Sequence, residues 1–280
     1  MTVKIVTDSL SDITSDLAEE YGITVVPLTV LFGHEQYLDR VTISTDEFYN
    51  RLINDSIWPT TTQPTPKAFA EVYDGLLGET DDILVIDASS KLSGTYQSAV
   101  GAISMTEKKG RIEVIDSEKV AMGLGLIVIS AARKASEGAS MDDLVKYVKN
   151  AINRSHFVVY FDTLTYLAKG GRIGKAKELM GSVLSIKQIL TIKDGEMAPL
   201  TRKRSLAAGM DYLYQHVQSF PEIAELAVEH TTTQDEADKL ASRIKPQASD
   251  KRIYRSTVSP VLGVYGGPGA IAVTVLEAEK

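Results

Sequence analysis

Two clusters of hydroxyls in this chain could hold an anion. The first is Ser89-Ser90-Lys91-Leu92-Ser93-Gly94-Thr95-Tyr96, directly after the apolar run Ile83-Leu84-Val85-Ile86. Open α/β sheets place ligands where a strand ends in a turn that starts a helix. Backbone N–H groups at a helix start are free and carry partial positive charge. Ser93 and Thr95 could add hydroxyl donors there. Helix capping by Ser or Thr leaves the same signature, so both readings stand. The second cluster is Trp58-Pro59-Thr60-Thr61-Thr62-Gln63-Pro64-Thr65-Pro66. Its prolines restrict the backbone and would hold the three hydroxyls in place. On pattern alone it reads as a stiff connector with polar decoration.

Other chemistry-bearing residues are weaker signals. Gly263-Val264-Tyr265-Gly266-Gly267-Pro268-Gly269 precedes an apolar strand. Such glycine density implies close backbone approach to a ligand or to another strand. The stretch is neither G-x-G-x-x-G nor a phosphate loop ending in Gly-Lys-Ser/Thr, which argues against a nucleotide. Arg202-Lys203-Arg204, with Lys169 and Arg172, form a basic cluster. It could retain a carboxylate, meet an acidic partner, or be a solvated face. Asp8, Asp87 and Asp116 each follow a strand pattern, as turn-capping aspartates do. Asp87 and Asp116 could equally serve as acid or base. His34, His156, His216 and His230 show no metal-ligand spacing. Ser93 sits in Lys-Leu-Ser-Gly-Thr, which is no G-x-S-x-G nucleophile elbow.

The elements that must position these residues alternate. Val3 to Val6 reads as a strand, and Thr14-Ser15-Asp16 cap a helix that Gly22 stops. Ile23 to Phe32 is β-rich, and His34 to Arg40 is a polar excursion. Ser44 and Glu47 have capping-box spacing before the helix Phe48 to Ile53. Thr65 and Pro66 predict a cap and a first helical position. Ile83 to Ile86 and Ile112 to Ile115 read as buried parallel strands. Helices are expected at Tyr96–Met105, Ala121–Ser136 and Met141–Asn153. His156 to Phe161 is strand-like, and Asp194-Gly195 joins Ile186–Ile192 and Met197–Thr201 as a hairpin. Helix, strand, helix and two strands complete the chain. The fold class is therefore α/β: an N-terminal parallel-sheet βαβ domain and a C-terminal α+β domain. The cut falls near residue 155, giving 1–155 (with a small excursion near 33–60) and 156–280.

Composition sets the outer limits. The chain has 280 residues, 44% apolar and 24% charged, enough for a large core plus an internal slot. It has no cysteine, which excludes disulfides, thiolate metal sites and cysteine nucleophiles. A net charge of -7 argues against bulk attraction to nucleic acid. The apolar run Ala121 to Ala132 is shorter than the roughly 20 residues a bilayer span needs. No signal peptide precedes the first strand, so a cytoplasmic protein without an integral membrane segment is expected.

Together the motifs resemble the DegV family. They are Thr-Asp-Ser at Thr7–Ser9, Thr-Thr-Gln-Pro from Thr61, Leu-Ser-Gly-Thr-Tyr from Leu92, Leu-x-Tyr-Leu-x-Lys-Gly-Gly-Arg-Ile ending at Ile173, and Gly-Pro-Gly at Gly267–Gly269. The resemblance covers essentially the whole chain. It implies two α/β domains with a lipid between them, related to the substrate-binding part of dihydroxyacetone kinases. It also implies a long-chain fatty acid such as palmitate as ligand, no cofactor and no metal. Family members look like the acyl-carrying, non-catalytic subunit of bacterial fatty acid kinase, whose separate kinase subunit makes acyl phosphate. By the same resemblance Thr61 and Ser93 hold the carboxylate, and Thr62 replaces the motif's Ser. Gly94, Thr95, Tyr265 and Gly266 support it, and Arg202 faces the partner. Tyr265 stands where the family usually carries His; it can donate a hydrogen bond and cannot become cationic.

On this reading the head group is gripped by neutral donors, each hydrogen bond to a charged group contributing roughly 1.5–3 kcal/mol. Each buried CH₂ contributes about 0.8 kcal/mol, so a chain of ~14 to 18 carbons gains on the order of 10 kcal/mol gross. The tail then dominates affinity and the head sets orientation. The competing readings are a small-molecule transferase, a hydrolase using Ser93, and a regulatory protein without lipid.

Overall fold

The structure is a computed structural model that describes residues 2–179, 186–245 and 251–279. Its first sheet is parallel throughout, in the order β2-β1-β6-β7. These strands are β1 (Lys4–Asp8), β2 (Ile23–Val26), β6 (Asp82–Asp87) and β7 (Arg111–Asp116). Ile83 to Ile86 are all fully buried, as expected of an inner strand covered on both faces. Connecting helices α1 (Ser15–Tyr21), α3 (Pro66–Leu76) and α4 (Thr95–Ala102) provide the crossovers.

Local signals place these helices. The Thr14 hydroxyl accepts from Leu17 N, and Gly22 ends α1 at φ 63. The Thr65 hydroxyl accepts from Ala68 N with Pro66 at the first helical position. Ser44 caps α2 (Thr45–Asn54) through Glu47 N.

Three short strands form a separate antiparallel sheet in the order β4-β3-β5. They are β3 (Thr29–Phe32), β4 (Glu35–Leu38) and β5 (Thr60–Thr62). The β-rich run from Ile23 is therefore split at Pro27-Leu28 between two sheets. The threonine segment is also no simple connector, because Val30 pairs with Thr61.

The C-terminal sheet is mixed, in the order β10-β9-β8-β13-β11-β12. Its strands are β8 (Ser155–Phe161), β9 (Lys187–Lys193), β10 (Glu196–Lys203), β11 (Ile223–His230), β12 (Ile253–Thr257) and β13 (Ile271–Glu277). Asp194 and Gly195 turn the β9–β10 hairpin with φ 53 and 76, the positive pair that a two-residue loop requires. Helices α8 (Leu206–Gln218) and α9 (Gln234–Ile244) cover one face, where Val158, Tyr160, Leu226 and Val228 point. Two-residue periodicity turns Phe157, Val159, Phe161 and Ala272 to the other face.

Between the sheets lies α5 (Met122–Ser136), with residues Met122 to Ala132 all buried. It packs on β1 and β6 of the first sheet and on β8, β11 and β13 of the second. Helix α6 (Met141–Arg154) follows it, capped by Ser140. A short α7 (Thr165–Lys169) follows β8. The glycine-rich stretch begins as helix α10 (Pro260–Gly266), with Ser259 as cap and Pro260 at its start. The turn itself is confined to Gly267–Gly269. Among the described residues no helix is long and apolar enough to cross a membrane.

Candidate functional site

An apolar slot opens where the two sheets, the small sheet and α10 meet. Its cavity volume is ≈ 110 Å³. Phe157, Val159 and Ala272 form the floor, Leu10, Leu28 and Val261 one wall, and Val120 and Ala121 the end toward α5. At the polar mouth stand Thr61, Gln63, Ser93, Arg172, Tyr265 and Gly266. Thr61 and Ser93 are 32 positions apart in the chain and line one cavity.

Each hydroxyl is oriented by another hydroxyl. Thr61 Oγ1 and Tyr265 OH share a hydrogen bond at 2.5 Å. Ser93 Oγ and Thr95 Oγ1 share one at 2.8 Å, and Thr95 N also donates to Ser93 Oγ at 3.3 Å. When Tyr265 and Thr95 act as donors, the protons of Thr61 and Ser93 are free to point into the mouth. Chained hydrogen bonds of this kind polarise one another in a site of low dielectric.

The Ser93 turn is held from three sides. Asp8 Oδ2 accepts from Ala88 N at 2.8 Å and Asp116 Oδ1 from Ser90 N at 3.2 Å. Ser89 Oγ donates to Gly195 O at 2.7 Å, and Lys91 Nζ donates to Asp194 O at 2.7 Å. The hairpin tip of the second sheet thus braces the turn that carries Ser93. Asp8 and Asp116 are turn caps. Asp87 is different: no N–H or hydroxyl of the described residues reaches its buried carboxyl. Its neighbour is Asp8. Burial and then the Asp8 charge push Asp87 well above the ordinary carboxylate range. Asp87 keeps its proton and donates it to Asp8, which burial raises to about 6.

Tyr265 is seated by glycine. A Cβ on Gly170 would lie 2.3 Å from the Tyr265 ring, so the Lys169-Gly170-Gly171-Arg172 turn can close only with glycine there. Arg172 returns over the same ring at 5.0 Å and donates to Leu92 O at 3.2 Å. Trp58 stacks on Tyr166 at 4.8 Å with Lys169 above it at 4.0 Å, tying the threonine strand to α7.

Deeper in, the wall holds one acid. Glu229 Oε2 accepts from Met122 N at 3.1 Å and Oε1 from Ser256 Oγ at 3.3 Å. Burial, then the neighbouring Asp12, raise it well above the ordinary carboxylate range. Ala121 adopts φ 55, ψ −154 at the start of α5, a conformation that costs a side-chain residue about 1–3 kcal/mol. Its N–H donates to Leu10 O at 2.7 Å, which holds it there.

Comparison with known proteins agrees with this architecture. The family model described as "Uncharacterised protein, DegV family" matches residues 2–278. The chain belongs to the DegV family. A DegV domain-containing protein of Caldanaerobacter subterraneus is 39% identical over 275 residues, 97% of each chain. A solved DegV family protein from Thermus thermophilus, described by its fatty acid binding, superposes with TM-score 0.91 at 28% identity. The match covers 99% of this chain and 100% of that one. DegV from Bacillus subtilis, described as a fatty acid binding protein, gives TM-score 0.91 at 26% identity with the same coverage.

Within this DegV chain, Thr61, Ser93, Tyr265 and Gly266 come together at the mouth. Thr95 and Gly94 stand directly behind it. Thr62 does not join them: it is exposed, and strand alternation turns it away from Thr61. Arg202 is exposed on the edge strand β10, outside the cavity lining. His156 bonds to Glu277 at 2.8 Å, away from the slot. Among the described residues no group of three or more His, Asp or Glu could hold a metal ion. Sequence reasoning missed Gln63, Thr231 and Glu229. Gln63 was accessible through its two-residue spacing from Thr61. Glu229 was accessible as a lone acid closing the apolar run Leu226-Ala227-Val228.

Proposed function

We propose that this chain binds one long-chain fatty acid, with the carboxylate at Thr61 and Ser93 and the acyl tail in the slot. The observation that carries this reading is the pair of oriented hydroxyls at the open end of a mostly apolar cavity. The head site offers neutral donors, with Arg172 as the nearest cation at the mouth. Each CH₂ of the tail that the slot buries gains about 0.8 kcal/mol gross, part of which association and ordering remove. The fatty acid binding ascribed to the relatives from Thermus thermophilus and Bacillus subtilis supports the same assignment. Native mass spectrometry of the purified protein tests it. A bound mass in the fatty acid range is expected. Thr61→Ala with Ser93→Ala should lower its occupancy while the fold persists, and undiminished occupancy would refute the head-group assignment.

The carboxylate lies at the mouth in this reading, within reach of a second protein. We therefore propose that the chain is the acyl-carrying subunit for a separate kinase and performs no chemistry of its own. Ser93 takes its hydrogen bonds from Thr95 rather than from a base, which disfavours a hydrolase. Arg202→Glu should weaken coupling to the kinase subunit and spare lipid binding. Loss of lipid with coupling intact would reverse that assignment.

A further inference from the structure

We propose that the Gln63 carboxamide is a third head-group contact, and that residue 94 is glycine so that this amide has room to lie beside Ser93. The proposal rests on the fatty acid reading above and extends it to what the site discriminates.

Strand parity comes first. Thr61 lies in β5, and Pro64 biases Gln63 toward extended backbone. Residues two apart on extended chain point the same way, and both line the mouth.

Gly94 supplies the second observation. It precedes α4 with φ −79 and ψ 7, a conformation open to any residue. Backbone geometry therefore does not call for glycine. What a side chain there would meet is the Gln63 amide. A Cβ there would lie 2.4 Å from Gln63 Nε2, 2.6 Å from Oε1 and 2.7 Å from Cδ. The polar end of the Gln63 side chain therefore occupies the space that a Cβ at residue 94 would need. Even alanine would displace it.

The third observation is availability. Among the described residues, no hydrogen bond engages the Gln63 amide. Thr61 and Ser93 each bring one proton to the head group, whereas a carboxylate has about four lone-pair sites. The amide NH₂ would fill another. An alcohol of the same chain length presents one oxygen, so a third donor favours the acid over the alcohol.

The test measures affinity for palmitate and for hexadecanol in the wild type and four variants: Gln63→Ala, Gln63→Leu, Gly94→Ala and the Gln63→Ala/Gly94→Ala double. Both single Gln63 variants should cut the acid-over-alcohol preference about tenfold or more. Leu keeps the bulk, so an equal loss in Leu and Ala assigns the effect to the lost donor. Gly94→Ala should reproduce that loss in the wild type and add nothing in the Gln63→Ala background, where no amide remains to displace. An unchanged preference in the Gln63 variants overturns the proposal. So does a Gly94→Ala effect of equal size in both backgrounds. The Thr61→Ala/Ser93→Ala protein separates the two levels: if it too keeps the preference, the head-group reading itself fails. Should Gly94→Ala not fold, the Ala–Leu comparison at Gln63 decides alone.

Discussion

Asp87→Asn removes one titrating group from beneath the Ser93 turn with almost no change of shape. Asp87 is fully buried, and its carboxyl holds a proton far above the ordinary value of 3.8 because charging it would place a bare anion beside Asp8. In the unfolded chain the same carboxyl is ionised above about pH 4. The folded state therefore binds one more proton than the unfolded state, and stability must fall as pH rises. The slope is about 1.4 kcal/mol per pH unit for as long as Asp87 keeps its proton. Asp8, raised to about 6, adds its own loss between about pH 4 and 6 and is spent above that. In the variant, the Asn amide still donates to Asp8 and no longer titrates. For each pH unit over which Asp87 keeps its proton, the wild type should thus lose about 1.4 kcal/mol more than Asp87→Asn. Urea unfolding of both proteins at pH 6, 7 and 8 reads this, since the titrations of groups away from the Asp8–Asp87 pair cancel in the difference. A gap between the two proteins that stays constant across that range would refute the protonated pair. The consequence reaches the ligand site, because Asp8 holds Ala88 N at the root of the turn that presents Ser93.

Three further outcomes follow from the geometry. Tyr265→Phe deletes the hydroxyl bonded to Thr61 and should weaken fatty acid binding by about 1 kcal/mol, roughly fivefold, in displacement of a fluorescent fatty acid; unaltered displacement would mean that Thr61 needs no orienting partner. Ala272→Phe puts a ring on the slot floor between Val159 and Glu229 and should abolish the bound lipid mass, with an overpacking cost of about 1–3 kcal/mol; retention of full lipid occupancy would place the tail elsewhere. Arg133→Ala strands Glu225, whose carboxylate it meets at 2.5 Å and whose side chain is only 9% exposed. Partial exposure of Arg133 itself moderates the cost to about 2 kcal/mol, and a urea-derived loss below about 0.5 kcal/mol would contradict the pairing.

Much of the scaffold was legible because it is written in local chemistry. Thr65-Pro66 predicts a cap and a first turn, and Thr65 Oγ1 receives Ala68 N at 3.2 Å. Asp194-Gly195 predicts a tight hairpin, and both residues adopt positive φ. The buried run Ile83 to Ile86 predicts an inner parallel strand, and it lies between β1 and β7. Thr60–Thr62 misled because a three-residue strand with one partner has no periodicity to display; only pairing with β3 makes it a strand. Helix α10 was not among the expected elements, although Ser259-Pro260 is a cap signal at its start.

What the sequence by itself determined is the inventory and its local geometry: which segments are strands, where helices begin, and which neutral hydroxyls stand at turn positions. Family resemblance added the pairing of Thr61 with Ser93. Tertiary structure alone decided that Tyr265 bonds to Thr61, that Asp87 lies beside Asp8, and that Gly170 leaves room for the Tyr265 ring. The reason is physical. Caps, turns and periodicity depend on atoms a few bonds apart, whereas a protonation state or a clash at 2.3 Å depends on residues that only the packed fold brings together.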